Sequence, residues 1–388
     1  MKLSLRDLDI KGKRVLMRVD FNVPLKGDGT ISDDTRISMA LPSIRYVLDR
    51  GASLILMSHL GRPKGKPNSA LSLQPCADRL RDLLGREVHL ITSYEEAKSI
   101  KVGEVFLLEN LRFHDGEEHP EKNPDFVRSL AELGDFYVND AFGTAHREHA
   151  STTLITRFFP KKSGMGFLVE KELAFLSPLV TSPKPPFYAI IGGAKIGSKI
   201  GVLESLVSKV DAVFIGGGMA FTLFAIEGVD IGNSLFDDTM IDKGKAFLSK
   251  CKEKEVALHL PTDIVITNGH ENRLVRVTEG IPSGWKGVDI GPKTLKKWGT
   301  FLDKAVTVFW NGPMGVFEVA PFADGTNHLA QKLSTLSADV VVGGGDSVAA
   351  IQSLHLEKGF AHISTGGGAS LEYIEYGQLP GIEALTSK

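Results

Sequence analysis

Two α/β domains, each built on a parallel sheet flanked by helices, are the architecture this sequence predicts, and three observations predict it. Five apolar runs of the second half, FYAIIGG (187–193), AVFIGGG (212–218), VTVFWNGP (306–313), DVVVGGG (339–345) and HISTGGG (362–368), all close on glycine. Four runs of the first half, VLMRVDFNVP (15–24), LILMSHLGRP (54–63), VFLLENLRF (105–113) and FYVNDAFGTAHR (136–147), close instead on arginine, histidine, asparagine and aspartate. Helical patterns lie between the runs. Near-continuous apolar strands are those buried on both faces, and alternation of strand with helix implies a parallel sheet. A chain of 388 residues also exceeds what one core serves, so two domains are expected.

The elements follow in order. ISMALPSIRYVLDRG reads as a helix closed by Gly51, and PDFVRSLAELG as one closed by Gly134. Asp33 and Asp34 look like the amino-terminal cap of the first, which puts Arg36 in its first turn. A cation there costs ~0.3 to 1 kcal/mol against the helix dipole, so its presence suggests a task. Pro42 leaves open a later helix start, with Arg36 in a loop. The helix GFLVEKELAFLSPLV (166–180) and the proline-rich TSPKPP (181–186) mark the division between the domains. Beyond it, GGAKIGSK (192–199) opens the helix GSKIGVLESLVSKV, whose Ile200, Leu203, Leu206, Val207 and Val210 keep helical spacing. If its first turn is helical, Lys195 and Lys199 share a face.

Composition excludes several classes. Hydrophobic residues make up 42% and charged residues 24% of the chain, as in ordinary globular proteins, and a net charge of −2 gives no general attraction to nucleic acid or membrane. No secretory h-region and no membrane-length apolar run is present, and Cys76 and Cys251 form neither a disulfide framework nor a cysteine metal site. A cytoplasmic location is expected.

Chemistry enters at the strand ends. Arg18, Arg36, His59, Arg62, Arg112 and Arg147 each fall at a strand end or helix start, so a parallel sheet gathers several of them on one edge. Guanidinium forks bind carboxylate and phosphate bidentately, and a set of them specifies a compact polyanion; Asp20 and Asn22 beside them suit a hydroxyl. Singly, each arginine is as well explained as a surface or ion-pair residue. In the second half, glycine lets backbone approach a phosphate-rich ligand, most simply a nucleotide. GGAKIGSK is not a P-loop, because Ser198-Lys199 reverses the required order, and no cluster fits G-x-G-x-x-G. Asp346 in GGGDS (343–347) is either a helix cap or the holder of a divalent cation, and Glu318 is either a loop acid or an acceptor for a ribose hydroxyl. A compact-anion domain with a nucleotide domain reads as a kinase of a small anionic acceptor, with closure excluding water. A two-domain dehydrogenase and a noncatalytic nucleotide-binding or scaffold protein are the competing classes. The first lacks its fingerprint, and the second has no need of the cation cluster.

RVDFNVP (18–24), SHLGRP (58–63), LLENLRF (107–113), NDAFGTAHR (139–147), GGAKIGSK, WNGPMGVFE (310–318), GGGDS and STGGGAS (364–370) together resemble the phosphoglycerate kinases, in order and across the chain. The resemblance implies reversible, magnesium-dependent phosphoryl transfer from 1,3-bisphosphoglycerate to ADP, giving 3-phosphoglycerate and ATP in glycolysis. It implies a monomer of two Rossmann-like lobes joined by an interdomain helix and hinge: 1–165 for phosphoglycerate with 370–388 packing back on it, a linker at 166–186, and 187–369 for the nucleotide. Carried over by motif, Asp20, Asn22, Arg36, His59, Arg62, Arg112 and Arg147 bind phosphoglycerate. Arg36 and Lys195 stabilise the transferring group and Lys199 holds nucleotide phosphates. Gly217, Gly218, Gly312 and Glu318 line the adenosine site; Gly343, Gly344, Gly345, Asp346 and Ser347 form the phosphate turn, with magnesium on Asp346. Gly366, Gly367 and Gly368 lie near the phosphoryl group after closure. Where the family usually has a polar pair ending in aspartate before the second lysine, this chain has Gly197-Ser198, which keeps Lys199 and removes the acid.

Overall fold

The computed structural model describes residues 1–388, which divide into two compact units, Met1–Ala174 with Gln378–Lys388, and Phe175–Gly377. In the first unit, strands β1 (Arg14–Val19), β2 (Ser53–Met57), β3 (His89–Ile91), β4 (Val105–Leu108), β5 (Phe136–Asp140) and β6 (Ser163–Met165) form one sheet in the order β3-β4-β2-β1-β5-β6. Every adjacent pair is parallel. Helices α1 (Thr35–Asp49), α2 (Gln74–Leu84), α3 (Tyr94–Lys98), α4 (Asp115–Glu118) and α5 (Pro124–Ala131) are the connections, and α6 (Phe167–Thr181) runs from the first unit into the second.

Residues 53–57 of β2 and 105–108 of β4 are buried at every position, which is why those runs are apolar throughout instead of alternating. The short β3 and β6 were not legible as strands: three residues each carry too little pattern. Helix α1 starts at Thr35 and contains Pro42, so the proline does not delay its start. Ile37 and Ala40 before it and Ile44 and Val47 after it are all buried on one face. At ~1.5 to 3 kcal/mol for each large side chain, that burial outweighs the ~3 kcal/mol an interior proline costs.

The second unit repeats the design. Strands β7 (Phe187–Ile191), β8 (Ala212–Ile215) and β9 (Ala257–His259) precede β10 (Asp263–Thr267), β11 (Asn272–Arg276) and β12 (Lys286–Ile290); β13 (Thr307–Asn311), β14 (Asp339–Gly343) and β15 (His362–Ile363) complete the set. The parallel sheet runs β15-β14-β13-β7-β8-β9, and β11-β10-β12 is a separate antiparallel sheet that the sequence reading did not anticipate. Its outer strand β11 is largely exposed and polar, so it lacks the apolar run that marks the others. The helices are α7 (Ile200–Leu206), α8 (Met219–Ile226), α9 (Ile241–Glu253), α10 (Pro292–Leu302), α11 (Asp324–Ser334), α12 (Gly345–Ser353) and α13 (Gly368–Tyr376). A last helix, α14 (Pro380–Glu383), belongs to the first unit.

In each sheet the strand order reverses beside the first strand of its unit, between β1 and β5 and between β7 and β13. The crevice outside the carboxyl ends at such a switch point is where open α/β sheets bind ligands. The charged turns of the first unit and the glycine turns of the second fall at those ends.

Candidate functional site

In the first unit the strand-end residues converge as a hydrogen-bonded set. Arg18, the fifth residue of β1, is fully buried; its guanidinium donates to Ser151 Oγ at 2.8 Å, to the Val19 carbonyl, and to His59 Nδ1 at 3.2 Å. Asp20 is buried and pairs with Arg36, which α1 holds in its first turn. Asn22 Oδ1 accepts from the Gly61 amide at 2.9 Å and Arg112 Nη1 donates to the Gly61 carbonyl at 2.9 Å, so the loops after β1, β2 and β4 are tied together. Arg112 also faces Glu118 at 3.3 Å. The ion-pair explanation of these arginines is thus partly realised, by Arg36 with Asp20 and Arg112 with Glu118. Arg62 and Arg147 are exposed and available to a ligand.

The electrostatics follow from that packing. Burial works against ionisation of Asp20, but the guanidinium charges of Arg36 and Arg18 and the hydrogen bond from the Asn22 amide hold its carboxyl below the usual range. His59 is pushed well below its ordinary value, by burial first and then by Arg18, Arg112 and Arg36. His146 and His149 are pushed down to about 4 and about 3 by burial and by neighbouring arginines, with Arg147, Arg112 and Arg18 acting on His149. Arg147 thus acts on the same histidine as Arg112 and Arg18. All three histidines are neutral at pH 7, and the positive charge of the site is guanidinium.

In the second unit a cleft of about 700 Å³, including space open to solvent, lies between the ends of β7, β8 and β13 and the strands β10 and β12. Gly193, Gly217, Gly218, Glu318 and Asp346 line it together with apolar Phe221, Leu235, Ile264, Val288, Met314 and Val316. The sequence reading did not single out this apolar wall, because those residues belong to separate elements and carry no local signal. Some glycines serve packing. Gly217 has φ of +69°, and a Cβ there would stand 2.7 Å from the Gly193 backbone. At Gly312, φ +93°, it would stand 2.3 Å from the Gly192 carbonyl. Gly345, Gly367 and Gly368 instead face open space.

Lys195 and Lys199 do not share a helical face. Lys195 is extended and exposed, a short 3-10 turn Ile196–Ser198 follows, and α7 begins only at Ile200. The Gly197-Ser198 pair, weak in helix propensity, fits that late start. Lys199 turns back to donate to the Gly192 carbonyl at 2.6 Å and the Asn311 carbonyl at 3.3 Å. Burial pushes its ammonium down to about 8 against the opposing pull of Asp346. Asp346 is exposed in the first turn of α12 and makes no side-chain cap, so capping does not account for it. Ser347 is buried and its Oγ accepts from the Gly312 amide at 2.6 Å, bracing one turn against another. Glu318 is exposed at the cleft; Gly343 is buried, Gly344 has φ of +88°, and Gly366 is buried ahead of α13.

A glycine-walled apolar cleft suits a base and its phosphates, and a guanidinium cluster suits a compact anion; a chain holding both falls among the α/β phosphotransferases. Comparison with known proteins narrows that class. The family model described as Phosphoglycerate kinase matches residues 5–377. A phosphoglycerate kinase of Thermosipho africanus (strain TCF52B) is 47% identical over all of this chain and 98% of its own length, and one of Chlorobium phaeobacteroides (strain DSM 266 / SMG 266 / 2430) is 50% identical over 99% of each. The solved phosphoglycerate kinase of Coxiella burnetii superposes with a TM-score of 0.91 at 37% identity over 99% of this chain and 98% of that one. That of Pyrococcus horikoshii OT3 gives 0.85 at 34% over the same shares. The chain belongs to the phosphoglycerate kinase family. It is an enzyme, a phosphotransferase whose acceptor is a carboxyl group, and its reaction is a step of glycolysis.

Proposed function

We propose that this chain moves a phosphoryl group reversibly between 1,3-bisphosphoglycerate and ADP, with the acid substrate on the first unit and the nucleotide on the second. The observation that carries this reading is the guanidinium set at the carboxyl edge of the first sheet, where Arg36 is kept in a first helical turn beside buried Asp20. Asp20 and Asn22 take a hydroxyl of the glycerate; Arg36, Arg62, Arg112 and Arg147 neutralise its phosphate and carboxylate, with neutral His59 as a further polar contact. Phosphoryl transfer asks mainly for positioning and for neutralisation of spread-out charge, which Arg36 and Lys195 supply to the group in flight.

Lys199 reaches the nucleotide phosphates, and Gly217, Gly218, Gly312 and Glu318 receive the adenosine. Gly343, Gly344, Gly345 and Ser347 shape the phosphate turn, and Gly366, Gly367 and Gly368 come near the phosphoryl group on closure. No group of three His, Cys, Asp or Glu side chains that could hold a metal exists, so magnesium would come in with the nucleotide, on phosphate oxygens and the one carboxylate of Asp346. Bound there, it would neutralise charge on the β- and γ-oxygens. The two lobes of this proposal are the compact units Met1–Ala174 with Gln378–Lys388 and Phe175–Gly377, so the returning segment begins at Gln378 and not at residue 370, and 166–186 serves as the link; closing them excludes water that would otherwise hydrolyse ATP. A cytoplasmic monomer acting on small molecules, without nucleic acid or membrane partners, completes the proposal.

The test is ATP-dependent formation of an acyl phosphate on 3-phosphoglycerate with magnesium, trapped by hydroxylamine. Wild type turns over, and Arg36→Ala and Lys195→Ala each lose ~3 kcal/mol or more in kcat/KM, the scale of one oxyanion-stabilising donor. A folded, nucleotide-binding wild type without turnover would exclude the assignment.

A further inference from the structure

Beneath the anion site of the first unit lies a buried chain of hydrogen bonds that substrate binding does not account for. Glu117, in the four-residue α4, is fully buried, and both of its carboxylate oxygens accept: Oε1 from Ser151 Oγ at 2.7 Å and Oε2 from the Ser151 amide at 3.1 Å. The Ala150 amide donates to the Glu117 carbonyl at 3.0 Å, so the 150–151 segment is docked on this one residue. Ser151 Oγ in turn accepts from Arg18 Nε at 2.8 Å, and Arg18 Nη2 lies 3.2 Å from His59 Nδ1. With Glu117 ionised, every proton in the chain has one possible place. Arginine only donates, so Ser151 must send its hydroxyl proton on to Glu117, and His59 Nδ1 must accept. Asp20 Oδ1, at 3.9 Å from Nδ1, is too far to claim a proton there instead.

We propose that Glu117 and Ser151 are positioning residues which, through Arg18, hold His59 as a neutral imidazole with its proton on Nε2, the form that donates a hydrogen bond to the anionic substrate. The proposal rests on the reading that this site takes phosphoglycerate. It makes His59 a fixed neutral donor and neither a cation nor a proton shuttle. The charged groups facing His59 agree: Arg18 on β1, Arg112 after β4 and Arg36 on α1 disfavour the imidazolium, with Asp20 alone opposing them. Around Glu117, burial pushes the carboxyl up, Arg18, the two Ser151 hydrogen bonds and Arg112 work against it without cancelling it, His149 lies 3.9 Å away, and the phenols Tyr94 and Tyr137 complete the surroundings.

The experiment is two-bond ¹⁵N–¹H correlation of the histidine rings in the full-length, ligand-free protein between pH 5 and 8, alongside steady-state kinetics. In the wild type, His59 should carry its proton on Nε2 and not titrate. Ser151→Ala strands Arg18 Nε, and Glu117→Gln sets an amide N–H against a donor; in both, a second tautomer or a titrating ring should appear. KM for 3-phosphoglycerate should rise about tenfold or more while KM for ATP stays unchanged. Ser151→Thr, which restores the hydroxyl, should return the wild-type spectrum and KM. Wild-type His59 protonated on Nδ1, or charged at pH 7, overturns the proposal even if no variant folds. So does a wild-type tautomer retained in both Ser151→Ala and Glu117→Gln. The tautomer is read without substrate, so failure of 3-phosphoglycerate to bind the wild type would count against the site assignment separately.

Discussion

Lys199 shows how much one side chain's surroundings can differ from what its spacing suggests. Four residues from Lys195, it reads as half of an exposed helical pair, yet its ammonium is tucked against two carbonyls and depressed to about 8. Phosphate oxygens would favour the charged form again, so nucleotide binding above pH 8 should take up a proton. Affinity should then fall about tenfold for each further pH unit, the free-energy equivalent of one pKa unit. Titration calorimetry of ADP at pH 9 in two buffers of different ionisation enthalpy measures the uptake; equal apparent enthalpies would exclude it. A paired substitution separates the two uses of glycine. Gly217→Ala forces a left-handed residue against the Gly193 backbone and should cost ~1 to 3 kcal/mol of stability together with nucleotide affinity. Gly345→Ala meets open space in a helical first turn, so thermal unfolding should be unchanged or later, while nucleotide binding weakens wherever phosphate needs that space. The sequence marks the glycines identically, because their neighbours come from other strands.

At the level of elements, the legible ones are those whose pattern is long and whose faces are buried. The parallel arrangement followed from runs such as residues 54–57 and 187–191, buried on both sides. The antiparallel β10–β12 sheet escaped notice because exposed β11 carries NRLVR, which resembles loop as much as strand. Of the residues expected in the phosphoglycerate site, Asp20, Asn22, Arg36, His59 and Arg112 are linked by hydrogen bonds and ion pairs, directly or through Gly61, while Glu117 and Ser151 beneath them stand at no strand end that would point them out. Helix α14 and the residues around it make a testable attachment. Gly381 donates to the Ala145 carbonyl at 2.8 Å, Asn139 Nδ2 donates to the Gly381 carbonyl at 3.1 Å, and Leu379, Ile382 and Leu385 are buried. A chain stopped after Gly377 forfeits these, at ~1.5 to 3 kcal/mol for each large apolar side chain. Scanning calorimetry should show the first unit unfolding earlier, with the second unit's transition unmoved. A single unshifted transition would mean that the segment contributes nothing.

For the molecule as a whole, the charged turns belong to one sheet and the glycine turns to the other, each at the carboxyl edge of a sheet whose order reverses beside its first strand, which is why the two kinds of turn fall into separate halves of the sequence. One unit is assembled from a continuous stretch and the other is not. The amide of Leu3 donates to the Thr386 carbonyl at 2.8 Å and that of Lys388 to the Met1 carbonyl at 2.9 Å, so residues from the two ends of the numbering lie hydrogen-bonded side by side. During synthesis the segment 378–388 leaves the ribosome after the whole of 175–377. The unit encoded second can therefore finish folding first, while the unit encoded first waits, with the Ala145 carbonyl and its apolar surroundings uncovered, for residues 378–388 to arrive.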